Sequence, residues 1–172
     1  DQRVEGSNPS GCTISMLFEP YHYATMSSAL KLAETAYSMD EVPVGAVITY
    51  NKKIIGKGYN QIELLKDCTA HAEILAITAA EQYLQTKVLA GCELFVTLEP
   101  CIMCIGAAIL AKLDSVYFTA FDTKSGACGS VYNIPGDQKL NHTIKIYSGL
   151  FEDEAKRLLS SFFSEKRKKK ED

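Results

Sequence analysis

The spacing of apolar residues changes between helical and strand-like periods along the chain. Between residues 20 and 39 apolar positions recur every three or four residues, which predicts an amphipathic helix. Two β-rich runs follow, separated by Asn51-Lys52, and they predict a hairpin with strands over residues 42–50 and 53–59. The first third of the chain is therefore expected to form one covering helix and one antiparallel pair.

Strands and helices are predicted to alternate through the rest of the chain. Further strands are predicted over residues 93–98, 115–121 and 143–147, and helices over 70–83, 101–113 and 152–168. This order predicts an α/β fold, a three-layer α/β/α sandwich with a mixed sheet of about five strands. The long segment 122–142 contains three glycines and a proline, and loops of this length in compact domains are often functional.

Length and composition fit one ordinary globular domain. We expect residues 16–172 to form it, with residues 1–15 either a leader added for expression or a natural disordered arm, so that Cys12 is no ligand. The apolar runs are too short to span a bilayer, and six cysteines without a secretory segment indicate reduced thiols in the cytoplasm. The net charge is −3, so any polyanion would meet a local basic surface such as the run 166–170.

Three side chains form a candidate zinc site. Cys101 and Cys104 are three residues apart at a predicted helix start, and His71 lies at the start of another helix. A zinc ion held by three protein ligands keeps a position for water, which is typical of catalytic sites, so one Zn²⁺ per chain is expected. Glu73 would be the carboxylate that moves protons, and together these residues favour hydrolytic deamination of an amidine-like base.

Each of these residues also has a simpler interpretation. Two cysteines in a CxxC pair after a strand are compatible with a thiol–disulfide redox protein. Taken alone, His71 is compatible with a buried structural histidine, and Glu73 with a solvated carboxylate on a helix. A binding subunit with structural zinc is a third possibility, although it would not need Glu73. The joint pattern favours the zinc hydrolase, and we assign Cys68, Cys92 and Cys128 to packing.

At these residues the chain resembles the cytidine and deoxycytidylate deaminase superfamily, in which HxE is followed by PCxxC. It is similar in particular to the family of bacterial-type tRNA-specific adenosine deaminases. The matching segments are residues 41–47, Asn60, 69–73, 97–104, 124–127, 140–142 and 162–163. The resemblance implies the cytidine deaminase-like fold and a homodimer that converts adenosine to inosine at the wobble position of a tRNA anticodon.

The resemblance also implies roles for individual residues. His71, Cys101 and Cys104 would bind zinc, and Glu73 would be catalytic. The implied substrate-binding residues include Asn60 and the backbone of Ala72, which would orient the flipped base. Val44 and Pro100, within the matching segments, are also expected to bind substrate, and the positions near flanking nucleotides would be Asp122, Lys124, Asn141, His142, Phe162 and Phe163.

Two alternatives stay open at this point. The two phenylalanines have the helical spacing of core residues, and the basic run after them is also typical of a solvated helix end. A free-base or nucleoside deaminase of the guanine or cytosine type would share the zinc chemistry. The Leu-Asn-His segment and the Phe-Phe pair with its basic run favour the tRNA anticodon loop as the partner, because stacking next to positive charge suits single-stranded RNA.

Overall fold

The computed structural model describes residues 17–171, in which five strands and five α-helices alternate. In chain order these are α1 (Pro20–Ser38), β1 (Gly45–Tyr50), β2 (Lys53–Tyr59), α2 (Ile62–Leu65), α3 (Ala72–Leu84), β3 (Cys92–Val96), α4 (Ile102–Leu110), β4 (Ser115–Phe118), β5 (Lys145–Ser148) and α5 (Glu152–Glu171). The expected leader 1–15, with Cys12, and Met16 lie outside the described residues. Within residues 17–171 no helix has the length and apolar character needed to cross a membrane.

The strands form one mixed sheet in the order β2-β1-β3-β4-β5. β1 pairs antiparallel with β2 and β3, whereas β3, β4 and β5 run parallel to one another. Asn51 and Lys52 both have positive φ, 49° and 61°, as a tight two-residue hairpin turn requires. The prediction of a mixed five-stranded sheet is confirmed.

Helices cover both faces of this sheet. Alternate residues of β1 point to opposite sides, so that Ala46 and Ile48 lie in a core with α3 and α4, whereas Val47 packs with α1. α5 lies beside α1: Phe162 of α5 contacts Tyr37, and Phe151, directly before α5, contacts Tyr23. The arrangement is the α/β/α sandwich that the sequence predicts.

One edge of the sheet collects the segments that carry the candidate chemistry, and we call it the site edge. Because β3 and β4 are parallel and β1 is antiparallel to β3, the ends of β2, β3 and β4 and the start of β1 lie there together. The helices α3 and α4 begin at the same edge, since each follows one of these strand ends. In open α/β sheets, ligands bind outside the carboxyl ends of the strands.

Glycines bring the helices unusually close to β1 and β2. A Cβ added at Gly58 would lie 2.3 Å from the carbonyl oxygen of Ala72 and 2.8 Å from the amide nitrogen of Ala76, both in α3. A Cβ at Gly45 would lie 2.1 Å from the carbonyl oxygen of Ala29 in α1. Only glycine allows backbones to approach so closely, and this sets the height of α3 above the sheet.

The structure differs from the predicted boundaries at the site edge, where β3 ends at Val96 and β4 at Phe118, two and three residues before their predicted ends. β1 begins at Gly45, three residues after its predicted start. The predicted polar connection after β2 contains the short helix α2. The Glu41 carboxylate accepts hydrogen bonds from the backbone N–H groups of Glu63 and Leu64, at 3.2 and 2.7 Å, and so caps α2 from a distant part of the sequence.

Candidate metal centre and active site

Three ligand atoms meet at the site edge. His71 is the N-cap of α3, Cys101 is the N-cap of α4, and Cys104 lies in the first turn of α4. Their ligand atoms all lie within 4.8 Å of one another. The fold therefore brings together the three residues for which the sequence predicts a metal site.

The spacing of these atoms suits zinc. His71 Nδ1 lies 3.7 Å from Cys101 Sγ and 3.5 Å from Cys104 Sγ. A tetrahedral ion with Zn–S of about 2.3 Å and Zn–N of about 2.0–2.1 Å separates nitrogen from sulfur by about 3.6 Å. The donor set and its spacing both fit zinc, and three protein ligands leave one coordination position for a non-protein ligand.

Hydrogen bonds within the cluster shift the pKa values of its two thiols in opposite directions. Hydrogen bonds from Cys104 and from His71 lower the pKa of the Cys101 thiol to about 4. The hydrogen bond to Cys101, followed by burial, raises the pKa of Cys104. Both sulfurs lie at the start of α4, where unpaired backbone N–H groups favour the thiolate form. Thiolate ligands suit a divalent cation such as zinc.

Glu73 lies in the first turn of α3 and is buried beside this cluster. Burial raises the pKa of its carboxyl to about 7. A carboxyl group with a pKa near neutrality can both accept and donate a proton at working pH. Its position next to the ligands, without being one of them, fits the predicted proton-transfer role.

Asn60 connects the end of β2 to the start of α3. Its side-chain Oδ1 accepts a hydrogen bond from the backbone N–H of Ala72 at 2.9 Å. The backbone N–H of Asn60 donates to the carbonyl oxygen of Val44 at 3.1 Å. Because the acceptor end of the amide is used by Ala72, the NH₂ group is the end that can donate elsewhere. Asn60, Ala72 and Val44 thus form one hydrogen-bonded unit at the site edge.

The loop after β4 lies against the start of α4. Asp122 begins this loop, and its carboxylate accepts the N–H of Lys124 at 2.9 Å, which forms a tight polar turn. Further along, the N–H of Ala127 is donated to the carbonyl oxygen of Pro100 at 2.8 Å. Pro100, Asp122 and Lys124 therefore share the site edge with the metal ligands.

Asn141 and His142 lie elsewhere. They precede β5, which is parallel to β4, so they lie at the opposite edge of the sheet. The His142 ring nitrogen Nε2 is 2.6 Å from the carbonyl oxygen of Leu113, just beyond the far end of α4. A four-residue strand spans about 13 Å, so these two residues do not line this chain's own metal site.

Phe162 and Phe163 are in α5, on the α1 side of the sheet. Phe162 is 5% exposed and packs edge-on against Tyr37, whereas Phe163 is 44% exposed. α5 runs alongside α1 toward the site edge, where Lys166 forms an ion pair with Asp40. The structure therefore gives Phe162 a packing role within the chain and leaves Phe163 accessible.

Sequence reasoning assigned no role to two buried carboxylates, Glu41 and Glu99. Glu41 caps α2, and Glu99 accepts hydrogen bonds from the loop after β4. Their surroundings in the sequence give one indication of a buried role, because both are acidic residues in otherwise apolar or proline-containing segments. Nothing in the local sequence identifies their partners, which lie more than twenty residues away.

Comparisons with known proteins agree with this geometry. Residues 20–120 match the sequence model of the cytidine and deoxycytidylate deaminase zinc-binding region. The tRNA-specific adenosine deaminase of Aquifex aeolicus is 51% identical over 140 residues, which cover 81% of this chain and 91% of that protein. The enzyme of the same name from Bacillus subtilis is 43% identical over 145 residues, 84% of this chain and 90% of that protein.

Solved structures are similar over comparable lengths. A structure from a study of A-to-I editing by tRNA:A34 deaminases at the wobble position of transfer RNA has a TM-score of 0.77 at 39% identity, covering 79% of this chain and 99% of that one. The guanine deaminase of Nitrosomonas europaea has a TM-score of 0.69 at 29% identity and covers 85% of both chains.

Proposed function

The chain belongs to the cytidine and deoxycytidylate deaminase family, and from that premise we propose that it deaminates adenosine to inosine at the wobble position of a tRNA anticodon. The observation that carries the proposal is the convergence of His71, Cys101 and Cys104 beside buried Glu73. The relatives named tRNA-specific adenosine deaminase match over more than four fifths of the chain, which supports this substrate over a free base.

The proposed reaction consumes water and releases ammonia. His71, Cys101 and Cys104 would hold the zinc ion, which would supply a Lewis acid that makes water nucleophilic near neutral pH. Glu73 takes one proton from the attacking water and delivers it to the purine ring nitrogen. It then moves the second proton, from the hydroxyl group now bonded to the base, to the departing amine, which leaves as ammonia. The raised pKa of Glu73, about 7, suits a group that must accept and return the same proton.

The flipped base would be held by the unit around Asn60. The NH₂ group of Asn60 would donate to the base, while the hydrogen bond from Ala72 keeps the amide in one orientation. Val44 and Pro100 are buried neighbours that would limit the pocket and help to exclude water. A base in a single-stranded loop is already unpaired, so its extrusion costs little.

The anticodon loop would be bound by the surface around this pocket. Asp122 and Lys124 start the loop that borders it, and the basic run 166–170 approaches the site edge through the contact of Lys166 with Asp40. Phe163 offers an accessible aromatic ring next to that positive charge, a combination suited to single-stranded RNA. For Phe162, contact with RNA would require the ring to leave its packing against Tyr37.

We further propose a homodimer formed through α4. Leu110 is 80% exposed and Ile102 is 50% exposed, and they lie eight residues apart on one side of this helix. The nearby Phe121, Val131 and Tyr132 are also exposed apolar side chains, and such patches mark interaction surfaces. Asn141 and His142 do not line this chain's own metal site, and a second subunit would bring its copies of them toward RNA bound at the first.

Leu110→Glu is expected to shift the protein from dimer to monomer, because a charge would have to be buried against an apolar surface. Analytical ultracentrifugation measures the change, and Leu17→Glu is the matched control, since Leu17 is 49% exposed and lies just before α1, on the sheet face opposite α4. A Leu110→Glu protein that stays dimeric at micromolar concentration would contradict an interface at this helix.

The proposed function is tested with an anticodon stem-loop that carries adenosine at the wobble position. We expect that nucleoside analysis finds inosine at that position, and none when guanosine replaces the wobble adenosine in an otherwise unchanged loop. Free guanine, cytosine and adenosine are assayed in parallel. Rapid deamination of free guanine or cytosine with an unchanged stem-loop would replace the tRNA assignment with a free-base deaminase.

We place the enzyme in the cytoplasm. Its proposed substrate, a tRNA, supports this location, and the five cysteines in the described residues are all free thiols. Free thiols, two of them metal ligands in this proposal, agree with a reducing compartment.

A further inference from the structure

Glu99 is a buried carboxylate next to the metal site. It follows β3, precedes the ligand Cys101 by two residues, and is only 2% exposed. Among residues 17–171, no lysine or arginine forms an ion pair with it. Burying an unpaired charge is costly unless hydrogen bonds replace the lost water, so its partners explain why it is tolerated.

Those partners all belong to the loop after β4. Glu99 Oε1 accepts the N–H groups of Cys128 and Ser130, at 2.9 and 3.0 Å. Oε2 accepts the N–H of Asp122 at 2.8 Å and the hydroxyl of Ser130. Each oxygen thus accepts two hydrogen bonds. The donors come from both ends of the segment 122–130, which we call the Glu99 loop.

The Glu99 loop closes tightly around the carboxylate and onto the metal site. A Cβ at Gly126 would lie 2.1 Å from Glu99 Oε2, so the backbone of the loop passes directly over the carboxylate. Gly126 forms a β-bridge with Cys101, and Ala127 bonds to Pro100. The Glu99 loop therefore forms one wall of the site, and its backbone surrounds the carboxylate of Glu99.

We propose that Glu99 is a positioning residue for RNA binding: its charge holds the Glu99 loop closed and so fixes Asp122 and Lys124 relative to the pocket. The inference rests on the proposed function, because it assumes that these two residues face the RNA. The charge is essential to this role because a neutral amide of the same size has only one acceptor oxygen. In Glu99→Gln, the NH₂ group would replace one acceptor oxygen, while the volume is unchanged. It would face at least one backbone N–H group, that of Asp122 or those of Cys128 and Ser130, which it cannot accept.

Glu99→Gln is expected to raise KM for the anticodon stem-loop by about tenfold or more, the change typical of losing hydrogen bonds to a charged group, with a smaller effect on kcat. Zinc content should stay at one per chain. Hydrogen–deuterium exchange should accelerate at the amides of Asp122, Cys128 and Ser130. Ser130→Ala removes one of the four donors, and it should change KM and exchange in the same direction but less.

The matched control is Glu93→Gln. Glu93 lies at the far end of β3 and also accepts two side-chain hydrogen bonds, from Ser115 at 2.9 Å and from Tyr21 at 3.2 Å. Neither of these hydrogen bonds involves the Glu99 loop. Replacing Glu93 can therefore lower stability but should leave KM and the hydrogen–deuterium exchange of the loop unchanged. Unfolding midpoints of all variants separate stability from binding.

Three results would overturn the proposal. The first is a Glu99→Gln protein with the KM and loop exchange of the parent, and the second is an equal rise in KM in Glu93→Gln. The third is loss of zinc from Glu99→Gln, which would mean that Glu99 supports Cys101 rather than the loop. If the parent protein forms no inosine, the proposed function fails, whereas the exchange measurement on Ser130→Ala and Glu99→Gln still tests the closure of the loop.

Discussion

Glu73→Gln is expected to abolish measurable deamination while leaving one zinc ion per chain. The substitution keeps the size of the side chain but removes its ability to accept a proton from water and return it to the purine. General acid–base catalysis contributes about 100- to 10,000-fold to enzymatic rates, so activity should fall at least that far. Inosine formation in the anticodon stem-loop measures the loss, and metal analysis measures the zinc.

This variant separates catalysis from folding. Burial raises the pKa of Glu73 to about 7, which means that the surroundings disfavour its charged form. A neutral glutamine removes that cost, so the unfolding midpoint should be no lower than that of the parent. Glu81→Gln, on the same helix but about two turns further along, is the control and should keep full activity. A Glu73→Gln enzyme with more than about a tenth of parental activity would contradict general acid–base catalysis by this residue.

Cys101→Ser is expected to lose both zinc and activity. The thiol that it removes is the one whose pKa the surroundings hold near 4, and serine cannot replace a thiolate as a zinc ligand. Loss of a group that only hydrogen-bonds to a metal ligand costs about 10- to 100-fold in affinity, so loss of the ligand itself should cost more. Zinc titration against a competing chelator gives the affinity.

The control for this variant is Cys68→Ser, because Cys68 is exposed and belongs to no metal cluster in residues 17–171. It should bind one zinc ion and keep its activity. The same pair of variants tests the redox interpretation of the two thiols. A parent protein that contains no stoichiometric zinc but cycles reversibly between dithiol and disulfide would favour that interpretation.

The main elements and the metal ligands could be predicted because their signals are local. The period of apolar residues identifies α1, and Asn51-Lys52 marks the turn between β1 and β2. Residues three apart at a helix start share a side of the helix, so the pairing of Cys101 with Cys104 also follows from spacing. His71 could be added because the joint pattern is specific, although it is 30 residues away.

The features that could not be predicted depend on distant partners. Helix α2 has only four residues, too few to show a period, and it is capped by Glu41. Residues 42–44 look like strand, yet the N–H of Val44 is donated back to the carbonyl oxygen of Val42, so they form a tight turn before β1. The four donors to Glu99 could not be recognised from sequence for the same reason, since three of them are backbone N–H groups of a loop.

The close contact between Gly58 and α3 also determines which positions tolerate mutation. Gly58 contributes no atom to the metal site, and it lies 13 residues before His71 in the chain. Any side chain there would have to push Ala72 outward, and His71 and Glu73 adjoin Ala72 on either side. The fitness cost of a substitution at position 58 would therefore be a displaced ligand and a displaced proton carrier, so the constraint on this glycine is as much catalytic as structural.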